Sequence, residues 1–408
     1  MPKTEEDQMK KLSVAEITRL VDEDMERDSY PAGFPALPPI PGARYTDERF
    51  YALELEHVLK RSWLFAGHIE DIPAIGDYLL FSKVGLSVIV IRGPDDSIRA
   101  FHNSCRHRGA ALVNKPAGNL KRFVCPYHAW SYDLSGELRG VPNEYDFGCL
   151  DKSERGLVAV NVVNFRGLIF VNVDSDPQPF EDFADGIIRT FSEFPLEKLT
   201  PKGTFRIEIP CNWKALQNNF CESYHVTAVH PQTVAKWLVP HSYALHLMRG
   251  GHFTATTRKK IAVRIPNPDI PSLDHVDPVY DHHVVGVKMF PNGVSASDPS
   301  GFTWMTAWPT GPGTSVLEGV MLGYDDGDPK HGAYWQKRMD DNLMIVSEDL
   351  EVLQTIQQSF ECGAFSDMIC NYRERAIYWH HEEIDRRIGL NRVPPGLAVE
   401  PVLGAFVD

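Results

Sequence analysis

The chain has 408 residues, a formal net charge of −14, 43% hydrophobic side chains and 24% charged ones. That length supports two domains with sizeable cores, and the composition is ordinary for a soluble globular protein. The acidic balance argues against general nucleic-acid binding. No apolar run approaches the length of a membrane span, and the N-terminal MPKTEEDQMKKLSVAEITRL lacks the apolar centre of an export signal. Seven cysteines with no framework spacing fit a reducing cytoplasm, so a cytoplasmic location is expected. Cys149, Cys211, Cys221, Cys362 and Cys370 read as buried thiols.

Residues 5–27 have the pattern of a charged amphipathic helix. SYPAGFPALPPIPGAR follows, and its five prolines (Pro31, Pro35, Pro38, Pro39, Pro41) predict an extended arm. Such an arm either wraps a neighbouring subunit or crosses its own domain. Residues 46–61 return to helical spacing with Phe50, Leu53, Leu55 and Val58. From Trp63 the pattern becomes β. DYLLFSKVGLSVIVIRG, PDDS and IRAFHNSC read as strands joined by tight turns. RFVCPYHAWSY with LSGEL gives another hairpin, and VNVVNFRGLIFVNV gives further strands. Residues 62–177 are therefore expected to form an all-β module.

Two short loops in this module carry chemistry. Cys105 and His107 form C-x-H, and Cys125 and His128 form C-x-x-H. Two thiolates and two imidazoles suit a Rieske [2Fe–2S] cluster, with the cysteines on one iron and the histidines on the other. The same four donors suit a Cys2His2 zinc site. Zinc fingers usually pair like ligands, whereas each loop here brings one Cys and one His, which favours the cluster. Ser104, Ser131 and Tyr132 are candidates for hydrogen bonds that tune it. Between Ser104 and Tyr132 lie Arg106, Arg108, Lys115, Lys121 and Arg122, with no Asp or Glu. This basic rim either steers an acidic electron donor or balances the cluster's own charge.

DSDPQPFEDF is a turn-rich linker and places a boundary near residue 178. A helix is expected at 181–193 and a strand at 204–210. Then comes NWKALQNNFCESYHVTAVHP, residues 212–231. Asn212 is a good N-cap, and Trp213, Leu216, Phe220 and Tyr224 recur at helical intervals. Glu222 and His225, three apart, would lie side by side on that helix. His225 and His230 are five apart, roughly 140° on a straight helix, so both reach one ion only if the helix loosens. Pro231 biases His230 out of helical geometry and supplies that break. Two imidazoles plus one more carboxylate would suit divalent iron. The plainer reading is two surface histidines and a solvated glutamate.

Strand-like runs fill 234–323, which predicts an antiparallel sheet with helices packed against it. Phe290, Trp304 and Trp308 either line a pocket there or belong to the core. A helix at 332–359 supplies the missing carboxylate. On a wheel of roughly 100° per residue, Ile345, Val346, Val352, Leu353 and Ile356 fall within about 60° of Asp349. A carboxylate inside an apolar arc is costly unless paired or metal-bound. Glu348 and Glu351 fall on the polar side, and Gln357 is a candidate contact for the iron's water. A last helix, 366–388, looks structural. The fold class expected is α+β, in three parts: 1–61 packing with the catalytic domain or a neighbour, the β module at 62–177, and the catalytic domain at 178–408.

CRHRGA, CPYHAWSYDLSGEL, NWK…NNFCESYHVTAVHP and EDLEVLQTIQ, in that order, resemble the terminal oxygenase (α) component of Rieske-type non-haem iron ring-hydroxylating oxygenases. The resemblance runs from about Tyr45 to about Ile388. It implies a [2Fe–2S] cluster on Cys105, His107, Cys125 and His128, and a mononuclear Fe(II) on His225, His230 and Asp349. It implies electrons from NAD(P)H through a separate reductase, with or without a ferredoxin. It further implies O2 and a small organic, usually aromatic, substrate, and a head-to-tail homotrimer with or without a β subunit. Glu222 matches a relay position that is Asp in many members, and would link His225 to His128 of the neighbouring subunit. Two further departures are Asn218 where many members have Glu, and Ala129 where Gly is common. Hydroxylation or dihydroxylation of an aromatic ring is the leading expectation. Monooxygenation by N- or O-demethylation or on a quaternary amine is the alternative, and an electron carrier without oxygenase activity is the alternative of another class. No G-x-G-x-x-G follows a strand, so no nucleotide site of the chain's own is expected.

Overall fold

The computed structural model describes residues 13–261, 270–271, 273, 276–324 and 327–408. These divide into two units, Leu59–Gln178 and the combination of Met1–Val58 with Pro179–Asp408. Among the described residues no helix is long and apolar enough to cross a membrane.

The smaller unit is all β. Its seven-stranded antiparallel sheet runs, in spatial order, Leu64–His68, Leu168–Asn172, Ala159–Phe165, Ile98–His102, Val88–Arg92, Asp77–Phe81 and Ala117–Asn119. Val88–Ile91 and Leu168–Val171 are buried throughout and read in sequence as unbroken β-branched and apolar runs. A second sheet of three short strands, Phe123–Val124, Ser131–Tyr132 and Leu138–Gly140, carries one of the cysteine–histidine loops.

The larger unit is built on seven antiparallel strands. Their order is Leu199–Ile209, Thr314–Tyr324, Gly301–Gly311, Gly293–Asp298, His283–Met289, His252–Lys259 and Leu238–Met248. The last six form a meander, and the first pairs back onto its end. The strand expected at 204–210 begins earlier, at Leu199. Within the 234–323 stretch expected to be strand-like, the strand from His252 ends at Lys259, and residues 262–265 lie outside the described ones.

The helix His331–Glu361 is longer than its expected span of 332–359. Its buried stripe is narrower than the expected apolar arc. Met339, Val346, Leu353 and Phe360, spaced by seven, are buried, while Val352 and Ile356 are 41% and 37% exposed. A seven-residue repeat meets a sheet along a thin line, so residues at the arc's margins stay in solvent. The expected helix 181–193 is two short turns, Phe180–Phe183 and Asp185–Thr190. The expected helix 366–388 starts only at Arg375. Ahead of it Asp367–Met368 pairs as a short strand with Ile40–Pro41 of the proline-rich arm.

The arm thus lies against its own unit. Phe34 packs edge-on to Tyr372 at 4.8 Å, and also against Phe406. The helix expected over 5–27 is seen as Val14–Glu26, capped by Ser13 and Glu16, and residues 5–12 fall outside the described ones. The helix expected at 46–61 is Glu48–Leu53, followed by a π turn and a 3-10 turn. Two ion pairs tie this region to the catalytic unit. Arg44 meets Asp385 at 2.8 Å, and Lys214 meets Glu54 at 2.8 Å, with all four side chains at most 2% exposed. Burial lowers the Lys214 pKa to about 8 and raises that of Glu54, with each partner opposing the shift of the other. Removing one partner of such a pair costs about 3–5 kcal/mol, because the other charge is left buried alone.

Candidate metal centres and substrate cavity

The stretch 212–231 does not form one helix. Asn212 caps Trp213–Asn219 by accepting from Lys214 N–H, and that helix ends at Phe220. A single turn, Val226–Val229, follows. The break therefore falls before His225 and not only before His230. Glu222 explains it: its Oε2 accepts from the backbone N–H groups of Tyr224 and His225. A carboxylate used this way caps a new turn instead of standing on the face of an old one. Its Oε1 meets His225 Nδ1. Glu222 and His225 are paired as expected, but through capping geometry. His230 then leaves helical geometry at φ −113°, ψ 42°.

His225, His230 and Asp349 offer ligand atoms that all lie within 4.8 Å of one another. His230 Nε2 is 3.0 Å and His225 Nε2 3.7 Å from Asp349 Oδ1. Asp349 is 4% exposed, yet its Oδ1 has no hydrogen-bond partner. A buried carboxylate oxygen left this way is costly. The cost is removed by a cation at the point where the three donors converge. Two imidazoles and one carboxylate on one face is the ligand set of non-haem Fe(II), so the residues fit the group.

Both imidazoles are oriented from behind by carboxylates. Glu222 holds Nδ1 of His225, and Glu348 Oε2 lies 2.6 Å from Nδ1 of His230. Thr233 Oγ1 donates to the same Glu348 oxygen at 2.6 Å. These hydrogen bonds, Thr233 first and His230 second, hold the Glu348 carboxyl below its usual range. A proton kept on Nδ1 leaves each Nε2 lone pair free toward Asp349. Glu348 thus corrects the expectation that it sits idle on a polar face. Adjacent helix residues diverge by about 100°, so the wheel separated it from Asp349, and nothing local announces the approach of His230. Gln357 is corrected too: its Oε1 accepts from Asn212 N–H at 2.9 Å and its Nε2 donates to Glu361, away from the convergence point.

In the smaller unit the two cysteine–histidine loops are conformational copies. Cys105 N–H donates to Ala110 O and Gly109 N–H to Cys105 O; Cys125 N–H donates to Trp130 O and Ala129 N–H to Cys125 O. Each loop turns through a left-handed residue, Gly109 at φ 78° and Ala129 at φ 59°. Ala129 takes with a side chain a conformation that costs roughly 1–2 kcal/mol outside glycine. The cysteines are 2% and 3% exposed and interact with each other. The imidazole rings of His107 and His128 lie 4.7 Å apart. Like donors thus sit beside like, as a [2Fe–2S] cluster with unlike irons requires. His107 Nδ1 is buried with no partner, a second vacancy in hydrogen bonding that a metal would fill. Of the three tuning candidates, Tyr132 reaches sulfur: its hydroxyl is 3.2 Å from Cys105 Sγ and accepts from Arg106 N–H at 3.0 Å. Burial pushes the Cys105 thiol up, and this hydrogen bond opposes it.

A cavity of about 890 Å³ opens beside His225, His230 and Asp349. Near them its walls are Phe220, Val226, Val294, Met305, Ile345 and Val346. Phe290, Trp304 and Trp308 do not line it; all three are buried in the core.

Comparison with known proteins matches residues 62–152 to the Rieske [2Fe-2S] domain and residues 196–390 to the ring hydroxylating alpha subunit (catalytic domain). The chain is 36% identical over 230 residues to the biphenyl dioxygenase subunit alpha of Metapseudomonas furukawaii, covering 52% of this chain and 50% of that protein. It is 33% identical over 197 residues to the glycine betaine monooxygenase oxygenase subunit of Chromohalobacter salexigens, covering 47% and 43%. The match thus spans about half the length of these curated relatives. A crystal structure of a quaternary ammonium Rieske monooxygenase superposes with a TM-score of 0.74 at 20% identity, over 88% of this chain and 99% of that one, which shows a shared fold. The chain thus carries a Rieske [2Fe-2S] domain followed by the catalytic domain of ring-hydroxylating alpha subunits, the two domains that bind a [2Fe–2S] cluster and a mononuclear iron.

Proposed function

We propose that this chain is the terminal oxygenase of a multicomponent system, with mononuclear iron on His225, His230 and Asp349 and the cluster on Cys105, His107, Cys125 and His128. The observation that carries the reading is the convergence of the first three on one point, with Asp349 Oδ1 buried and unpartnered. When bound, the two groups supply one-electron storage and an open iron face for O2 and substrate. The chain's own residues do the rest. Glu222 and Glu348 keep protons on the outer imidazole nitrogens. Phe220, Val226, Val294, Met305 and Val346 keep water from the reacting face and suit an apolar, aromatic substrate. Electrons come from NAD(P)H through a separate reductase, with or without a ferredoxin. A head-to-tail ring of three such chains, alone or with a second subunit type, lets Glu222 bridge to a neighbour's cluster.

Attack on a quaternary amine is the second reading, supported by the glycine betaine relative. A pure electron carrier has no use for the convergent triad. Purified protein is expected to be red-brown with about three irons per chain. Alanine at His225, His230 or Asp349 is expected to remove one iron and leave the visible spectrum intact. A colourless zinc protein overturns the proposal.

A further inference from the structure

The cavity is not uniformly apolar, and strand register shows how it changes. Phe253, Ala255, Thr257 and Lys259 alternate onto its wall from one strand. Ala255 pairs with Gly286 and Gly286 with Ala296, so a row of small residues crosses the sheet and hollows the floor. On one side of this row lie Val294 and Met305, paired with each other. On the other lie Asp298 and, further along, Lys259. The long helix follows the same gradient. Asn342 donates to Thr303 Oγ1 at 2.7 Å, and Arg338 meets Asp298 at 3.0 Å. Arg338 precedes Asp349 on that helix by about 16 Å of rise.

This far end is positive in an acidic protein. Among the described residues, and apart from the metal-site carboxylates, the cavity is lined by five basic residues and two acidic ones. Asp298 is paired with Arg338, and Asp341 with Lys337 at the rim. Lys236, Lys259 and Lys260 remain, with no ion pair among the described residues. Lys259 is the one inside: among the described residues a single hydrogen bond, to Tyr280 O at 2.8 Å, holds its ammonium. Burial pulls its pKa below the usual lysine range, opposed by Asp298 and Asp281. Two donors of that ammonium are left for a ligand.

We infer that the Lys259 end of the cavity receives an anionic head group, a carboxylate, so that the substrate is an amphiphile with its apolar body toward His225 and Asp349. The inference rests on the cavity being the substrate site of the proposed oxygenase. A quaternary ammonium head would meet the wrong charge there.

The test is titration calorimetry on the iron-loaded protein, anaerobic and with no electron donor. The probes are 4-phenylbutyrate, its neutral amide and 4-phenylbutylamine, equal in length and different in head charge. The acid is expected to bind about tenfold tighter than the amide, with the amine weakest and the gap narrowing in salt. Lys259→Gln, which keeps a donor for Tyr280, is expected to bring acid and amide within about threefold, and Lys259→Arg to restore the gap. Equal binding of acid and amide, tighter binding of the amine, or no binding of the acid at millimolar concentration overturns the inference. Because no turnover is read, a failed oxygenase assay and a failed head-group preference are separate results.

Discussion

His230 and Glu348 stand 118 residues apart in sequence and 2.6 Å apart at Nδ1 and Oε2. The contact joins the two halves of the metal centre, since Glu348 precedes Asp349 on the long helix and His230 closes the turn after His225. Glu348 fixes the ring of one proposed ligand, His230, while its neighbour Asp349 is another. Removing such an outer partner typically costs 10–100-fold in metal affinity or activity, and Glu348→Ala is expected to weaken iron binding by about that range. Glu348→Gln, which keeps an acceptor, should recover part of it. Chelator competition for the mononuclear iron measures both, and wild-type retention in the alanine variant would overturn the role.

Much of this candidate centre was legible in the sequence because the residues proposed as its ligands announce themselves locally. C-x-H and C-x-x-H loops, a histidine before Pro231, and an aspartate among apolar helix positions all break a local rule. What was not legible depends on distance in space. Glu348 looks solvated until His230 arrives, and Gln357 looks like a site residue until Asn212 takes its oxygen. The helical spacing of Trp213, Leu216, Phe220 and Tyr224 is present, but the carboxylate of Glu222 outcompetes it for the backbone N–H groups of Tyr224 and His225.

Tyr132 sets up a second prediction. Its hydroxyl lies 3.2 Å from Cys105 Sγ. Reduction adds negative charge to the cluster, and a donor aimed at a ligand sulfur stabilises the reduced form more than the oxidised one. Tyr132→Phe should lower the reduction potential while iron content and visible colour remain. A potential unchanged in protein-film voltammetry would mean that this hydroxyl spends its proton elsewhere.

Stability should fall in mild acid because several histidines are buried neutral. His252 Nε2–H donates to Phe183 O at 2.7 Å and its Nδ1 accepts from Phe290 N–H at 2.9 Å, so no site is left for a second proton. Burial presses its pKa down to about 4; Glu383 acts against this, and Arg387 and Lys288 with it. Burial presses His380 and His381 well down also. In the unfolded chain each takes a proton near pH 6.5. Their stabilisation is therefore complete above about pH 6.5 and is lost as pH falls toward 4, at up to roughly 1.4 kcal/mol per pH unit for each histidine. Urea midpoints at pH 7.5, 6 and 5 should decline, and less steeply in His252→Gln. A flat series would show that these rings are not held neutral by the fold.

The last prediction concerns Glu222 and the transfer of electrons to the catalytic iron. Both of its oxygens have partners within the chain: Oε1 takes His225 Nδ1, and Oε2 takes the N–H groups of Tyr224 and His225. The side chain is 8% exposed. A carboxylate offers about four lone-pair positions, so one remains, on Oε1, the oxygen that already holds the iron-ligand ring. A donor arriving from the neighbour's His128 would then share a single oxygen with His225, giving a short path from imidazole to imidazole. The plainer role is to cap the turn and orient His225, and the two separate cleanly in Glu222→Gln. The amide keeps the size and one accepting oxygen, which the two backbone N–H groups of the turn can share, so the turn should survive and the three ligand side chains remain for the iron; its NH2 then offers no lone pair to either imidazole proton. Iron content and donor reduction of the cluster should stay near wild type, while single-turnover reoxidation of the cluster slows by about tenfold or more. Normal reoxidation with full iron content would leave Glu222 as a positioning residue and remove it from the path.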